Sequence, residues 1–171
     1  MKEISYKELS LNPMTLTDET WWLITAGNEE TGCNTMTASW GHLGTLWGHG
    51  KDSATAIVYV RPQRYTKQFI DREERFTLSV MGEKYRKQLA YLGTASGRDG
   101  DKLAAAGMKP LFLDGTAAIE DAEMVLVCKK LYAAPVLEEG FVEKELVESV
   151  YPDRDFHTMY VGRIEKVYVK E

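Results

Sequence analysis

Hydrophobic and polar positions alternate with the period of β-strands over most of the chain, interrupted by a few short helical stretches. "ETWWLITAG" (Glu19–Gly27) is continuously apolar from Trp21 to Ile24, the pattern of a buried strand. The turn signal "NEETG" (Asn28–Gly32) follows, and the segment after it reads as the return strand of a hairpin. On that return strand Met36, Ala38 and Trp40 share one parity, and Thr35, Thr37 and Ser39 share the other. The first set predicts an anchor to the core. The Thr/Thr/Ser face either looks at water or lines a polar groove. Gly41–Ser53 reads as a glycine-rich loop, and "ATAIVYV" (Ala54–Val60) as the next strand, ended by Pro62.

Helical spacing appears next. "YTKQFIDREE" (Tyr65–Glu74) predicts a short helix with Thr66 as N-cap and Phe69 and Ile70 as its apolar face. "RFTLSV" alternates as a half-buried strand does. "EKYRKQLAYLG" puts Tyr85, Leu89 and Leu92 on one helix face and stops at Gly93. The polar loop "SGRDGDK" (Ser96–Lys102) leads into a helical turn, "LAAAG". "GTAAIED" and "AEMVLVCKKLYAAPV" read as strands paired with each other. "FVEKELVESV" places Val142, Leu146, Val147 and Val150 on one helical face. Phe156–Val169 closes the chain as a long strand whose apolar parity shifts around Gly162, which predicts a bulge there. No repeat or linker divides residues 1–171. The fold class is mainly β with inserted helices, in one domain, and closure into a full or partial barrel would protect its strand edges.

Charge and composition narrow the function. The formal net charge of −5 argues against nucleic acid as a partner, because phosphate neutralisation needs an excess of Lys and Arg. A small phosphorylated ligand needs only a local basic cluster. Cys33 and Cys128 make no disulfide framework. The N-terminal segment lacks the apolar core of a signal peptide, and no apolar run is long enough for a membrane span, so a cytoplasmic protein without a membrane partner is expected.

Candidate chemistry is sparse when motifs are taken singly. His42, His49 and His157 lack metal-ligand spacing, so no metal site is expected. Hydrolase, P-loop and G-x-G-x-x-G signatures are absent from the sequence. "VRPQRYT" sets Arg61 and Arg64 at a strand end, just before a helix whose free N–H groups would suit an anion. Read alone, the segment is better taken as a solvated strand-to-helix turn. In "SGRDGDK" small residues permit close backbone approach, and Lys102 offers a charge. His157 opens the last strand, where it would serve as a proton donor or a nicotinamide contact, although a single histidine at a strand end is more often structural.

In order and spacing, "NTMTASWG", "ATAIVYVRPQRYT", "LGTASGRDGDK" and "HTMYVGRI" together resemble the flavin reductase-like, FMN-binding split-barrel family, and within it the flavoredoxin-like branch. The resemblance runs from about Pro13 to Val169, leaving residues 1–12 as an N-terminal extension. It implies an antiparallel Greek-key split β-barrel, a homodimer, and FMN held near the dimer interface. By the same resemblance Asn34, Thr35, Met36, Thr37, Ser39 and Trp40 lie along the flavin. Arg61, Arg64, Tyr65 and Thr66 match one phosphate-side turn, and Ser96, Gly97 and Lys102 a second. His157 matches a histidine close to the flavin and the nicotinamide pocket, the one residue assigned a catalytic role. The loop after Trp40 departs from the family in having no proline and many glycines, so a looser loop is expected there. The implied activity is transfer of a hydride from NADH or NADPH to flavin N5. The alternative is an electron carrier of the flavoredoxin kind, fed by a redox protein partner and lacking a nicotinamide site; a non-redox binder of FMN or another planar ligand is the third reading.

Overall fold

The computed structural model describes residues 1–50 and 53–171. Among these residues ten strands, β1 (Lys2–Ile4), β2 (Trp22–Asn28), β3 (Gly32–Ala38), β4 (Gly41–Thr45), β5 (Ala54–Val60), β6 (Arg75–Val80), β7 (Pro110–Leu113), β8 (Thr116–Ile119), β9 (Met124–Pro135) and β10 (Thr158–Val169), alternate with short helices. Those helices are α1 (Pro13–Thr15), α2 (Thr66–Arg72), α3 (Arg86–Thr94), α4 (Lys102–Ala105) and α5 (Glu145–Val150). The main sheet is antiparallel and runs β3-β2-β6-β9-β10-β5-β4. β3 and β4 lie at opposite ends of that path, yet only Ser39 and Trp40 separate them in the chain. The sheet therefore curls until its two free edges almost meet, which is a split barrel.

Strand parity builds two apolar layers. Trp22, Ile24 and Ala26 of β2, Phe76, Leu78 and Val80 of β6, and Met124, Leu126 and Cys128 of β9 point into the barrel. Met36 and Ala38 join them, as their parity predicts. Leu23, Val125 and Val127 point outward and pack with Leu89 and Leu92 of α3, Leu103 of α4 and Ala118 and Ile119 around β8. Burial deep inside the barrel pushes the Cys128 thiol pKa up, so that group stays protonated.

Several elements depart from the sequence pattern for local reasons. β2 begins at Trp22 rather than Glu19, because Leu16–Thr20 form a π-type turn closed by Trp21 N–H donating to Leu16 O at 2.8 Å. The expected Gly41–Ser53 loop opens instead with β4, whose pairing with β5 runs from Gly41↔Val58 to Thr45↔Ala54. Its glycines hide the strand signal. Part of that loop, Lys51 and Asp52, lies outside the described residues. β8 pairs with β7 in a separate two-stranded ladder and not with β9. The predicted helix before β10 shrinks to Glu145–Val150. Of its expected apolar face Val147 is buried, whereas Val142 is 96% exposed. The bulge near Gly162 is present as a register shift between Val161 and Gly162. The N-terminal extension contributes β1, which pairs with the end of β10, Lys2 opposite Val169.

Gly41 is where the closing edge meets the core. A Cβ there would lie 2.2 Å from Trp22 Cζ2 and 2.7 Å from Ile57 O. Trp22 is fully buried, and its indole N–H has no hydrogen-bond partner among the described residues, so it serves the fold by volume. Gly41→Ala is expected to destabilise the protein by about 1–3 kcal/mol in urea unfolding, the usual cost of overpacking. The same change at Gly44, where nothing lies within 4 Å, is the control and should stay within about 0.5 kcal/mol.

Candidate functional site

The turn after β5 and the loop after α3 meet over β3. Together they enclose a cavity of ≈ 380 Å³ lined by Met36, Gln63, Arg64, Tyr65, Thr66, Thr94, Ala95, Ser96, Arg98 and Lys102. The two segments marked as phosphate-side by the sequence thus share one space. Thr66 is the first residue of α2 rather than its cap. It is buried, and its Oγ1 accepts from Asn34 Nδ2 at 2.7 Å, which ties the helix to β3. Gly97 packs against the same asparagine, where a Cβ would lie 2.2 Å from Asn34 Oδ1.

Three cations converge on this cavity. Arg64 Nη1 donates to Gly93 O at 2.6 Å. Arg98 lies over the Tyr65 ring at 4.9 Å and donates to Gln63 O at 2.9 Å. Lys102 is only 6% exposed, and its Nζ donates to Leu92 O at 3.1 Å and Ala95 O at 3.0 Å. Among the described residues none of the three makes an ion pair with a carboxylate. Burial, with Arg64 beside it, pushes the Lys102 pKa down to about 8. In a chain with net charge −5, unpaired cations around one cavity mark a place for an anion.

A second group surrounds His157, which is 8% exposed. Its ring lies 4.9 Å from that of Trp40 and 6.5 Å from that of Tyr59. His157 Nδ1 and Tyr151 Oη are 2.8 Å apart. Burial, with the charges of Arg61 and then Arg64 opposing protonation, pushes the His157 pKa down to about 4. Burial raises that of Tyr151. The phenol is therefore the donor, and the neutral imidazole carries its proton on Nε2. No described residue partners that Nε2–H. Arg64 thus acts on both Lys102 and His157, which joins the cavity to the aromatic group.

The outcome differs from expectation at three places. Arg61 does not face the cavity. It pairs with Asp155, donates to Val150 O at 3.0 Å and lies over the Tyr151 ring at 5.1 Å, so its charge is committed to the segment before β10. Thr35 and Thr37 do not line the cavity either. Thr35 is fully buried with its Oγ1 2.9 Å from Thr25 Oγ1, and Thr37 donates to Leu89 O at 2.5 Å. These two hydroxyls face neither water nor a groove; they pack on β2 and under α3. The opposite parity supplies Met36 to the cavity and Trp40 to His157, while Ser39 is exposed in the link. Arg98, Gln63, Thr94, Tyr59 and Tyr151 were not singled out from the sequence. Arg98 sits inside the quoted "SGRDGDK" and was legible as a charge; Tyr151, brought in from a connecting segment, left no signal. Among the described residues no group of three or more His, Cys, Asp or Glu side chains could hold a metal.

Residues 14–171 match the model of the flavin reductase like domain family. No curated protein matches the chain. Solved structures with the same fold include flavoredoxin of Desulfovibrio vulgaris (Miyazaki F), at 20% identity and a TM-score of 0.66 over 100% of this chain and 77% of that one. An FMN-binding protein from Thermus thermophilus, with bound p-hydroxybenzaldehyde, aligns at 20% identity and a TM-score of 0.67 over 100% of this chain and 83% of its own. Nitrilotriacetate monooxygenase component B from Bacillus cereus aligns at 16% identity and a TM-score of 0.66 over 95% and 82%.

A phosphate monoester in this cavity should bind more weakly as pH rises above about 8, where Lys102 loses its proton. Calorimetric titration of FMN across that range should show the fall, riboflavin should not, and Lys102→Met should abolish the difference in slope.

Proposed function

The chain belongs to the flavin reductase-like domain family, and on that premise we propose that it is an FMN-binding oxidoreductase that accepts a hydride from NADH or NADPH. The observation that carries the reading is the set of unpaired cations, Arg64, Arg98 and Lys102, around one cavity beside the Trp40–His157 aromatic pair. The donor set suits the cofactor. Arg64 keeps several N–H groups and Lys102 one N–H free for phosphate oxygens, and Ser96 adds a hydroxyl, whereas the Thr94 O–H is already given to Ala90 O and Tyr91 O. β3 is an edge strand, so N–H groups on its outer side lack sheet partners and are available to a flavin lying along it.

Bound FMN would supply the two-electron chemistry, taking a hydride from the nicotinamide at N5. The chain's own residues bind, orient and shield. Trp40 and His157 offer an aromatic wall for a planar ring. His157, neutral at physiological pH, presents a fixed Nε2–H donor that can steady developing negative charge without giving up its proton. It acts by position and not as a general acid. The exposed apolar surface on the far half of β9, Leu131 and Tyr132 with Trp47 packed on Tyr132, suits a homodimer contact. Both cysteines are free, and no helix among the described residues is long and apolar enough to cross a membrane; these features suit work in the cytoplasm.

Purified protein mixed with FMN and then freed of unbound flavin by gel filtration should keep the flavin absorbance band, and NADH or NADPH added without air should bleach it. Absence of the band would overturn the cofactor assignment. A band that neither nicotinamide bleaches would make the protein an electron carrier. The hydride-transfer rate should be flat from about pH 5.5 to 7.5, because His157 is already deprotonated there; a limb near the ordinary histidine pKa would restore an acid role. Light scattering should find a dimer.

A further inference from the structure

Tyr151 lies in the segment between α5 and β10 and is 5% exposed. Its N–H donates to Val147 O at 2.9 Å, and its carbonyl accepts from Arg154 N at 3.0 Å and Arg154 Nη1 at 3.2 Å. Arg154 is itself tied to Glu138 and Glu148. The Tyr151 ring packs on Phe156 at 4.8 Å and Phe141 at 5.8 Å, and the Arg61 guanidinium lies over it at 5.1 Å. Backbone and ring are thus both fixed, and the hydroxyl they place lies 2.8 Å from His157 Nδ1. We propose that Tyr151 is a positioning residue, with Arg61 as its clamp: it locks the His157 ring and tautomer, so that Nε2–H is a standing donor that favours reduced over oxidised flavin. The inference rests on the flavoprotein reading above and adds the residues that make its donor.

The hydrogen-bond inventory sets the direction of the contact. No other described residue accepts from Tyr151 Oη, so its proton goes to Nδ1. The opposite tautomer, with Nδ1–H donating, would leave a buried phenol proton unpaired, at a cost of about 1–3 kcal/mol. The imidazole is also gripped on its other sides. Val136 N–H donates to His157 O at 2.8 Å, Tyr151 meets the ring edge-on at 80°, and Trp40 lies against it. Among the described residues, the buried side-chain N and O atoms without a partner are Trp22 Nε1 and Gln88 Oε1. His157 Nε2 is not one of them, so its N–H is within reach of a ligand.

Arg61 completes the device. It pairs with Asp155 and donates to Val150 O at 3.0 Å, while Gln63 Nε2 donates to the second Asp155 oxygen at 2.7 Å. The clamp therefore ties the end of β5 to the residues on both sides of Tyr151. The charges that face the imidazole are Arg61, Arg64 and Asp155, and its titratable neighbours are Tyr151 and Tyr59. The two arginines make a second proton on the ring costly, which keeps His157 a neutral donor rather than an acid. Reduction adds negative charge to a flavin, and a donor already in place stabilises that charge without reorganising.

Tyr151→Phe removes the hydroxyl and keeps the ring. Long-range proton–nitrogen NMR of the full chain without flavin should show His157 as one tautomer, Nε2–H, in the wild type and as an average of two in Tyr151→Phe. Oxidised FMN should bind both proteins equally. Reduced FMN, titrated without air, should bind Tyr151→Phe about tenfold more weakly, the scale of one hydrogen bond to a charged group. Arg61→Met lifts the clamp while keeping an apolar stem. In the same spectra it should move the His157 pKa from about 4 towards the ordinary value of about 6.5. An unchanged tautomer in Tyr151→Phe, or equal losses for oxidised and reduced FMN, would overturn the inference and leave the flavoprotein reading standing. An unmoved His157 pKa in Arg61→Met would overturn the clamp. A wild type that binds neither form of FMN would remove the reading and the inference together.

Discussion

Ser39 and Trp40 are all that separates two strands lying at opposite ends of a seven-strand path. So short a link forces the sheet around until its edges approach, and the rest of the molecule follows from that closure. Gly41 must lie flat on Trp22 for the turn to fit. Trp40 is thrown outward onto His157 rather than into the core. β3 is left as an edge, and α2 and the loop after α3 come together along it. The candidate site is the seam of an incompletely closed barrel.

Much of this was legible in the sequence. β5 and β6 coincide with their apolar runs, and the β2–β3 hairpin has its turn where "NEETG" marks it. The two segments flagged for an anion do share a cavity. Legibility failed where a residue's pattern was ambiguous without its neighbours. The Thr35/Thr37 face looked polar and therefore either wet or functional. It proved to be neither, because a hydroxyl can be buried at little cost when a carbonyl or another hydroxyl lies within reach. β4 went unseen because glycine carries no strand signal, although its glycine is what allows the strand to pack there.

Arg61 is the most instructive case. Sequence adjacency set it beside Arg64, and the two were read as a pair. Two residues of turn, Pro62 and Gln63, send them in different directions: Arg64 to the end of α3, Arg61 to Asp155 and the Tyr151 ring. The charge assigned to the ligand instead holds the segment that fixes the His157 tautomer. One arginine faces the cavity and the other builds, and only the three-dimensional partners tell them apart.

The pairing of β5 with β10 has a consequence of its own. Val60 lies opposite Thr158, so the strand leading into the candidate site waits for a partner made about a hundred residues later, a separation that slows folding. Until β10 arrives, β5 has only β4 beside it and offers an apolar, unpaired edge to any other chain. The kinetic weak point of the protein is therefore on its path to the native state, at the strand that leads into the candidate site, and crowded synthesis at high temperature would find that edge first.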